Sequence, residues 1–272
     1  MAVPRDYMQR AINFWAVIFM WVASALPQIT THGRSAKEFS DLNDSLLVPP
    51  PTAFAIWGPI FLLSLVYAMI ASWNINRTRV IFVQTRLWTA FGFILTGLWS
   101  LTAYYAPLSI AKWATVLIFI PLVTCFLRAL YIFHKNRDKL DASEQRLIIV
   151  PIALIAGWTS LAAFLNVAPL IISWLTGPDI ALEASRLNMC VLGLALIFAL
   201  TIIFKLGRIW SYAGPIIWGL GWLSYRHTVQ DDIAPQIGYL SILGIGLIII
   251  ALLMQPKPPK AQSPINLGPA ER

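Results

Sequence analysis

Eight apolar stretches of about 20 residues each run through this chain and leave few folds open to it. They lie at about 11–28, 52–73, 87–106, 113–133, 147–170, 187–205, 209–226 and 235–254. A helix rising 1.5 Å per residue needs about 20 residues to cross about 30 Å of hydrocarbon. Lipid offers the backbone no hydrogen-bond partners, so each segment must satisfy its own peptide groups, which a helix does. The expected fold is therefore all-α: a polytopic transmembrane helical bundle over residues 1–254, with about eight spans. Residues 255–272 form an expected cytoplasmic tail, rich in proline and polar residues and disordered. Charge agrees, since 12% of residues are charged where a soluble domain carries about 25%.

The net charge of +8 does not imply nucleic acid, because the basic residues form no long run and sit between apolar segments. They read as topology signals. With the N-terminus inside, fifteen of the 20 Lys and Arg fall on inner segments. That bias predicts a cytoplasmic N-terminus in a multi-pass cell-membrane protein, of the kind found in a bacterial inner membrane. The first run also permits a cleaved signal, because Arg5 and Arg10 precede it and Ala23-Ser24-Ala25 resembles a cleavage site. Trp15, Trp21 and the continuation to Leu26 suit a retained helix better. Residues 29–51 form the longest outer loop, with His32, Arg34, Lys37, Glu38, Asp41 and Asp44 before the stiff Pro49-Pro50-Pro51. Cys125 and Cys190 lie in apolar stretches without a CxxC and read as small core hydrophobes.

Several chemistries lack their residues. No Asp, Glu, Lys or His falls near the middle of an expected span, so ion coupling and voltage sensing lack their usual groups. His32, His134 and His227 lie in loops or at span ends, where no pair suits a haem. No Walker, GxSxG or zinc pattern occurs, and no acid–base pair supports hydrolysis or transfer. Binding is therefore a better expectation than catalysis, and no cofactor is certain. Arg128 should snorkel to the interface.

What remains is aromatic: 12 Trp, 8 Tyr and 14 Phe. Trp73, Trp88, Trp113, Trp174 and Trp210 fall near span ends and suit an interfacial belt. Trp21, Trp158 and Trp218 fall near mid-depth, and Trp57, Trp99 and Trp222 in the outer halves. A buried indole needs a partner for its N–H. Asn166 follows Trp158 by eight residues, about two helical turns, so both share a face. Tyr104 and Tyr105 close the outer end of the third run. Trp57, Trp99, Tyr104, Trp158, Asn166 and Trp218 are the candidate lining of a pocket for a flat apolar aromatic ligand. A packed core without ligand is the plain alternative. Pro59, Pro121, Pro151, Pro169 and Pro215 could kink spans and open space between them.

Two segments carry a resemblance. Pro49-Pro50-Pro51-Thr52-Ala53-Phe54-Ala55-Ile56-Trp57-Gly58-Pro59-Ile60-Phe61 resembles the PP-x-x-x-F-x-I-W-G-x-I-Y lead-in to the second span of long tryptophan-rich sensory proteins. These are relatives of TspO and the mitochondrial translocator protein, the peripheral benzodiazepine receptor. Val150 to Asn166, with Pro151, Gly157, Trp158, Ala162 and Asn166, is similar to that branch's P-x-x-x-x-x-GW-x-x-x-A-x-x-x-N. Gly214-Pro215-Ile216-Ile217-Trp218-Gly219-Leu220-Gly221 adds a weaker likeness. Phe61 stands where the pattern often has Tyr, and Leu98-Trp99 lacks the preceding Asn. The resemblance implies a tetrapyrrole or similar pigment such as a porphyrin as ligand, in an aromatic pocket, with a homodimer as a candidate assembly. Three other readings stay open: a light- or redox-dependent enzyme on a bound pigment, a transporter of small apolar solutes, and an assembly partner without ligand.

Overall fold

A computed structural model describes residues 5–30, 33–34, 38–39, 45–72, 80–176, 181–231 and 233–256. The expectations for His32, Lys37, Asp41, Asp44, Trp73, Arg77, Arg79 and the tail from 257 lie outside these residues. Among the described residues there are eight long helices: α1 (Arg5–Ile29), α2 (Trp57–Ser72), α3 (Val80–Tyr105), α4 (Leu108–Lys135), α5 (Val150–Thr176), α6 (Ala181–Leu206), α7 (Trp210–Tyr225) and α8 (Pro235–Met254). A 3-10 turn over Pro51–Ile56 leads into α2, and π-helical turns over Gln145–Ile149 and Arg226–Gln230 lead into α5 and out of α7. No strand occurs among the described residues.

Among the described residues seven segments are long and apolar enough to cross a membrane, and all the helices named above except α7 supply one. The 16 residues of α7 would reach only about 24 Å, and the following π turn extends the helix. The chain is a multi-pass helical membrane protein.

The helices pack by faces. In α2 the buried residues are Ile60, Ser64, Tyr67, Ala68 and Ala71, spaced by three and four, so one stripe meets the bundle. The centre is α5, whose apolar window is 67% buried. It packs against α4, α6 and α7, with α8 behind α6 and α7, while α1 lies on α3 and α2. Small residues permit the closest approach: a Cβ on Gly157 would clash with the Tyr212 carbonyl oxygen, so α5 and α7 meet there almost backbone to backbone.

Two boundaries differ from the hydropathy reading. The first helix starts at Arg5 rather than near 11, and the third at Val80 rather than near 87. The added turns bring Asp6, Arg10 and Arg86 into the helices at the end that holds the N-terminus, here termed inner. Arg86 is fully buried. One of its amine groups meets Asp6 at 2.5 Å, and its Nε donates to the Ala71 carbonyl at 3.0 Å. Arg10 pairs with the same carboxylate at 2.9 Å. One turn deeper, Asn13 donates to the Arg86 carbonyl and to Thr89, and the Tyr67 and Thr89 hydroxyls lie 3.0 Å apart. This network ties α1, α2 and α3 together. It explains the shift: charges that look disqualifying singly are neutralised by partners far away in sequence. Arg128 is exposed on the bundle's flank, its guanidinium 5.8 Å from the Tyr131 ring centre.

Candidate functional site: an outer aromatic cavity

The 3-10 turn Pro51–Ile56 delivers Trp57 to the start of α2 at the outer end of the bundle. Trp57 is the hub of an aromatic cluster. Its ring stacks on Phe61 at 5.2 Å and on Trp99 of α3 at 6.4 Å, with interplanar angles of 27° and 25°. Trp158 of α5 meets Trp57 edge-on at 6.3 Å and Phe54 at 6.2 Å. Trp99 continues the chain of rings to Phe119 and Tyr104. Such offset and edge-to-face pairs suit the ring quadrupoles and hold the rings in fixed positions.

These rings enclose a cavity of about 60 Å³ lined by Phe39, Val48, Pro49, Phe54, Trp57, Trp99, Tyr104, Phe119, Trp158, Ala162, Leu165 and Asn166. Five of the six residues expected from sequence, Trp57, Trp99, Tyr104, Trp158 and Asn166, therefore border one space. Trp218 does not line it. Its ring is 40% exposed, and its Nε1 donates to the Ala53 carbonyl at 2.8 Å. It fastens the turn that carries Phe54 instead. Trp21 also turns outward and donates to the Phe61 carbonyl. Trp222 packs on Trp218. Depth along a span does not choose a face. Phe39, Val48, Phe119 and Leu165 carry no mark in the sequence, being apolar residues among many.

The polar atoms around the cavity are few and under-used. The buried Trp99 Nε1 has no partner among the described residues, and the N–H groups of Trp57 and Trp158 make no hydrogen bond there either. Asn166 donates from Nδ2 to the Ala162 carbonyl of its own helix at 2.9 Å, and its Oδ1 accepts nothing among the described residues. Asn166 thus makes no bond to a neighbouring helix among the described residues.

A strap over residues 45–53 closes the outer side. Ser45 donates to Asn188 of α6 at 2.9 Å, Arg226 donates to the Val48 carbonyl, and His227 Nε2 lies 2.6 Å from the Leu46 carbonyl. His227 sits past the end of α7, fully buried, with its Nδ1 unpartnered. Burial pushes its imidazole below the usual value. Further along the outer face, Gly33 takes φ +100°, a conformation that favours glycine. It brings Arg34 under α3, where the guanidinium donates to the carbonyls of Ala103 and Ala106. A cation there also suits the negative end of the helix dipole.

No group of three or more His, Cys, Asp or Glu suited to a metal occurs among the described residues. No curated protein and no solved structure matches the chain. The family model described as TSPO-like protein matches residues 10–254, from α1 to the end of α8. An apolar bundle with this aromatic centre, matched over nearly its full length, belongs to the TSPO-like family of membrane proteins.

Proposed function

We propose that this chain binds a flat apolar ligand, a tetrapyrrole or a molecule of similar shape, in the outer aromatic cavity, and that it serves to sense or handle that ligand in the cell membrane. The observation that carries the reading is the pairing of fixed aromatic walls with polar atoms lacking protein partners. Trp57, Trp99 and Trp158 offer ring faces and indole N–H donors, and Asn166 offers an acceptor. Buried polar groups are normally satisfied, so donors and acceptors left over around one space favour a ligand that completes them. The cavity, at about 60 Å³, is far below the roughly 300 Å³ at which small-molecule sites begin. Binding a macrocycle therefore requires the strap over 45–53 to lift, and its hydrogen bonds to Asn188, Arg226 and His227 are the ones that break.

Titrating the purified protein with protoporphyrin and following tryptophan quenching tests this. Saturable quenching is expected. In Trp158→Leu with Asn166→Leu the Kd should rise at least about tenfold, the loss of one stacking wall and one hydrogen bond. An unchanged Kd in that variant would remove the cavity from consideration.

A further inference from the structure

A second cavity lies at the inner end, about 480 Å³ in volume, where the α4–α5 connection meets the start of α7. Its charged lining is entirely basic: Arg137, Arg146 and Arg208. None of the three forms an ion pair among the described residues. The acids of the same connection are engaged elsewhere. Asp141 accepts from the Glu144 N–H at 2.8 Å, Glu144 accepts from the Asp141 N–H at 3.0 Å, and Asp138 is exposed and outside the lining. Burial pushes the Arg137 guanidinium below its ordinary value, as expected of a desolvated cation without a nearby anion.

The backbone adds donors at the same place. Gly207, at φ +73°, ends α6 with its N–H on the Ile203 carbonyl and turns the chain into α7. Tyr212 and Ala213 donate back to the Ile209 carbonyl, so the N–H groups of Trp210 and Ser211 are left without partners among the described residues. Both residues line the cavity. A helix N-terminus favours anions, and here it faces three arginines. Trp210 is 47% exposed, with Arg208 5.9 Å from its ring centre, an arrangement suited to the depth of lipid headgroups. The π turn Gln145–Ile149 brings Arg146 and Ile149 to the cavity wall, and such turns recur at functional sites.

We propose that this inner cavity binds a phosphate-bearing anion, held by Arg137, Arg146, Arg208 and the first N–H groups of α7. Guanidinium groups match phosphate oxygens in pairs, and the volume admits a headgroup-sized ligand. The phosphate could arrive on an anionic lipid or free in solution. The inference does not depend on what occupies the aromatic cavity.

Native mass spectrometry of the full chain in detergent separates these sources, with phosphatidylglycerol, phosphatidylcholine or inorganic phosphate added. The variant Arg146→Gln with Arg208→Gln leaves Arg137 in place, because Arg137 also contacts Gln145 and its loss could disturb the loop. Wild type should retain phosphatidylglycerol over phosphatidylcholine, and the variant should weaken that retention by about 25-fold, at roughly a fivefold loss for each of two arginines. A lipid source is then supported. Arginine-dependent binding of inorganic phosphate, without lipid preference, supports the same site with a soluble ligand. Equal binding of every probe by wild type and a variant of unchanged melting temperature would overturn the proposal. Should the variant melt lower, Ser211→Pro, which removes one N–H at a position where helices accept proline, supplies the second comparison. Unchanged phosphatidylglycerol and phosphate binding there, with unchanged binding in the arginine variant, overturns it equally.

Discussion

The inner end of α1–α3 and the outer aromatic cavity both place polar atoms inside an apolar bundle, and they differ in how far those atoms bond across helices. At the inner end Asp6, Arg86, Asn13, Thr89 and Tyr67 bond to one another across three helices, although Gln9 Oε1 and Asn13 Oδ1 find no hydrogen-bond partner among the described residues. At the outer end Trp99 Nε1 and Asn166 Oδ1 meet no side chain from a neighbouring helix. A buried polar group that is satisfied within the protein rigidifies it, and one that is not costs stability until something else supplies the partner. Both regions keep some buried polar atoms without partners, so what separates the structural network from the candidate binding site is the set of side-chain bonds from helix to helix, and burial does not, since Arg86 and Trp158 are both fully enclosed.

That contrast can be broken first at its structural side. Arg86→Met should destabilise the bundle by about 2–4 kcal/mol, because it breaks the bonds to Asp6 and to the Ala71 carbonyl and leaves the carboxylate to Arg10. Unfolding in mixed SDS micelles measures this, and a loss under about 1 kcal/mol would class the pair with weak surface ion pairs. Protein that remains folded should quench with protoporphyrin as wild type does. Gly157→Ala comes next, at about 1–3 kcal/mol for forcing α5 from α7. Because Trp158 is the next residue, ligand affinity should fall with stability here, unlike at Arg86. Unchanged affinity in this variant would argue that the cavity tolerates movement of α5.

The strap gives a smaller, pH-dependent effect. Burial lowers the folded value of His227 below the unfolded value of about 6.5. Above about pH 6.5 both states are neutral and stability should be flat. Below it the unfolded chain takes up a proton that the fold refuses, so stability should fall, with a slope of at most about 1.4 kcal/mol per pH unit. Melting curves of wild type and His227→Gln between pH 5 and 8 check this; the same slope in both would assign the effect elsewhere. The smallest effect is the most diagnostic. Trp99→Phe removes an unpaired N–H while keeping an aromatic ring, so stability should hold or rise by up to about 1 kcal/mol. Affinity for protoporphyrin should drop about fivefold, the worth of one hydrogen bond. Equal affinity would mean that Trp99 serves only as wall.

Much of the fold was legible because apolar runs of helical length have few other solutions in lipid. The starts of α1 and α3 were not, because Asp6 and Arg86 neutralise each other across 80 residues and hydropathy sees them one at a time. Trp158 and Asn166 could be placed on one face from their spacing alone, and both border the cavity. Trp218 could not, since its role depends on the Ala53 carbonyl lying beside α7. The basic cavity was hidden as well. Arg137, Arg146 and Arg208 read as topology signals until two separate loops are seen to converge.

The central claim is where the flat ligand sits. A diazirine-bearing porphyrin, photolysed on the purified protein and mapped by peptide mass spectrometry, tests it directly. The account predicts labels within residues 48–61, 95–105 and 158–166, with excess unlabelled protoporphyrin suppressing them. Suppressible labelling confined to residues 134–150 and 205–212, at the opposite end of the bundle, would contradict it.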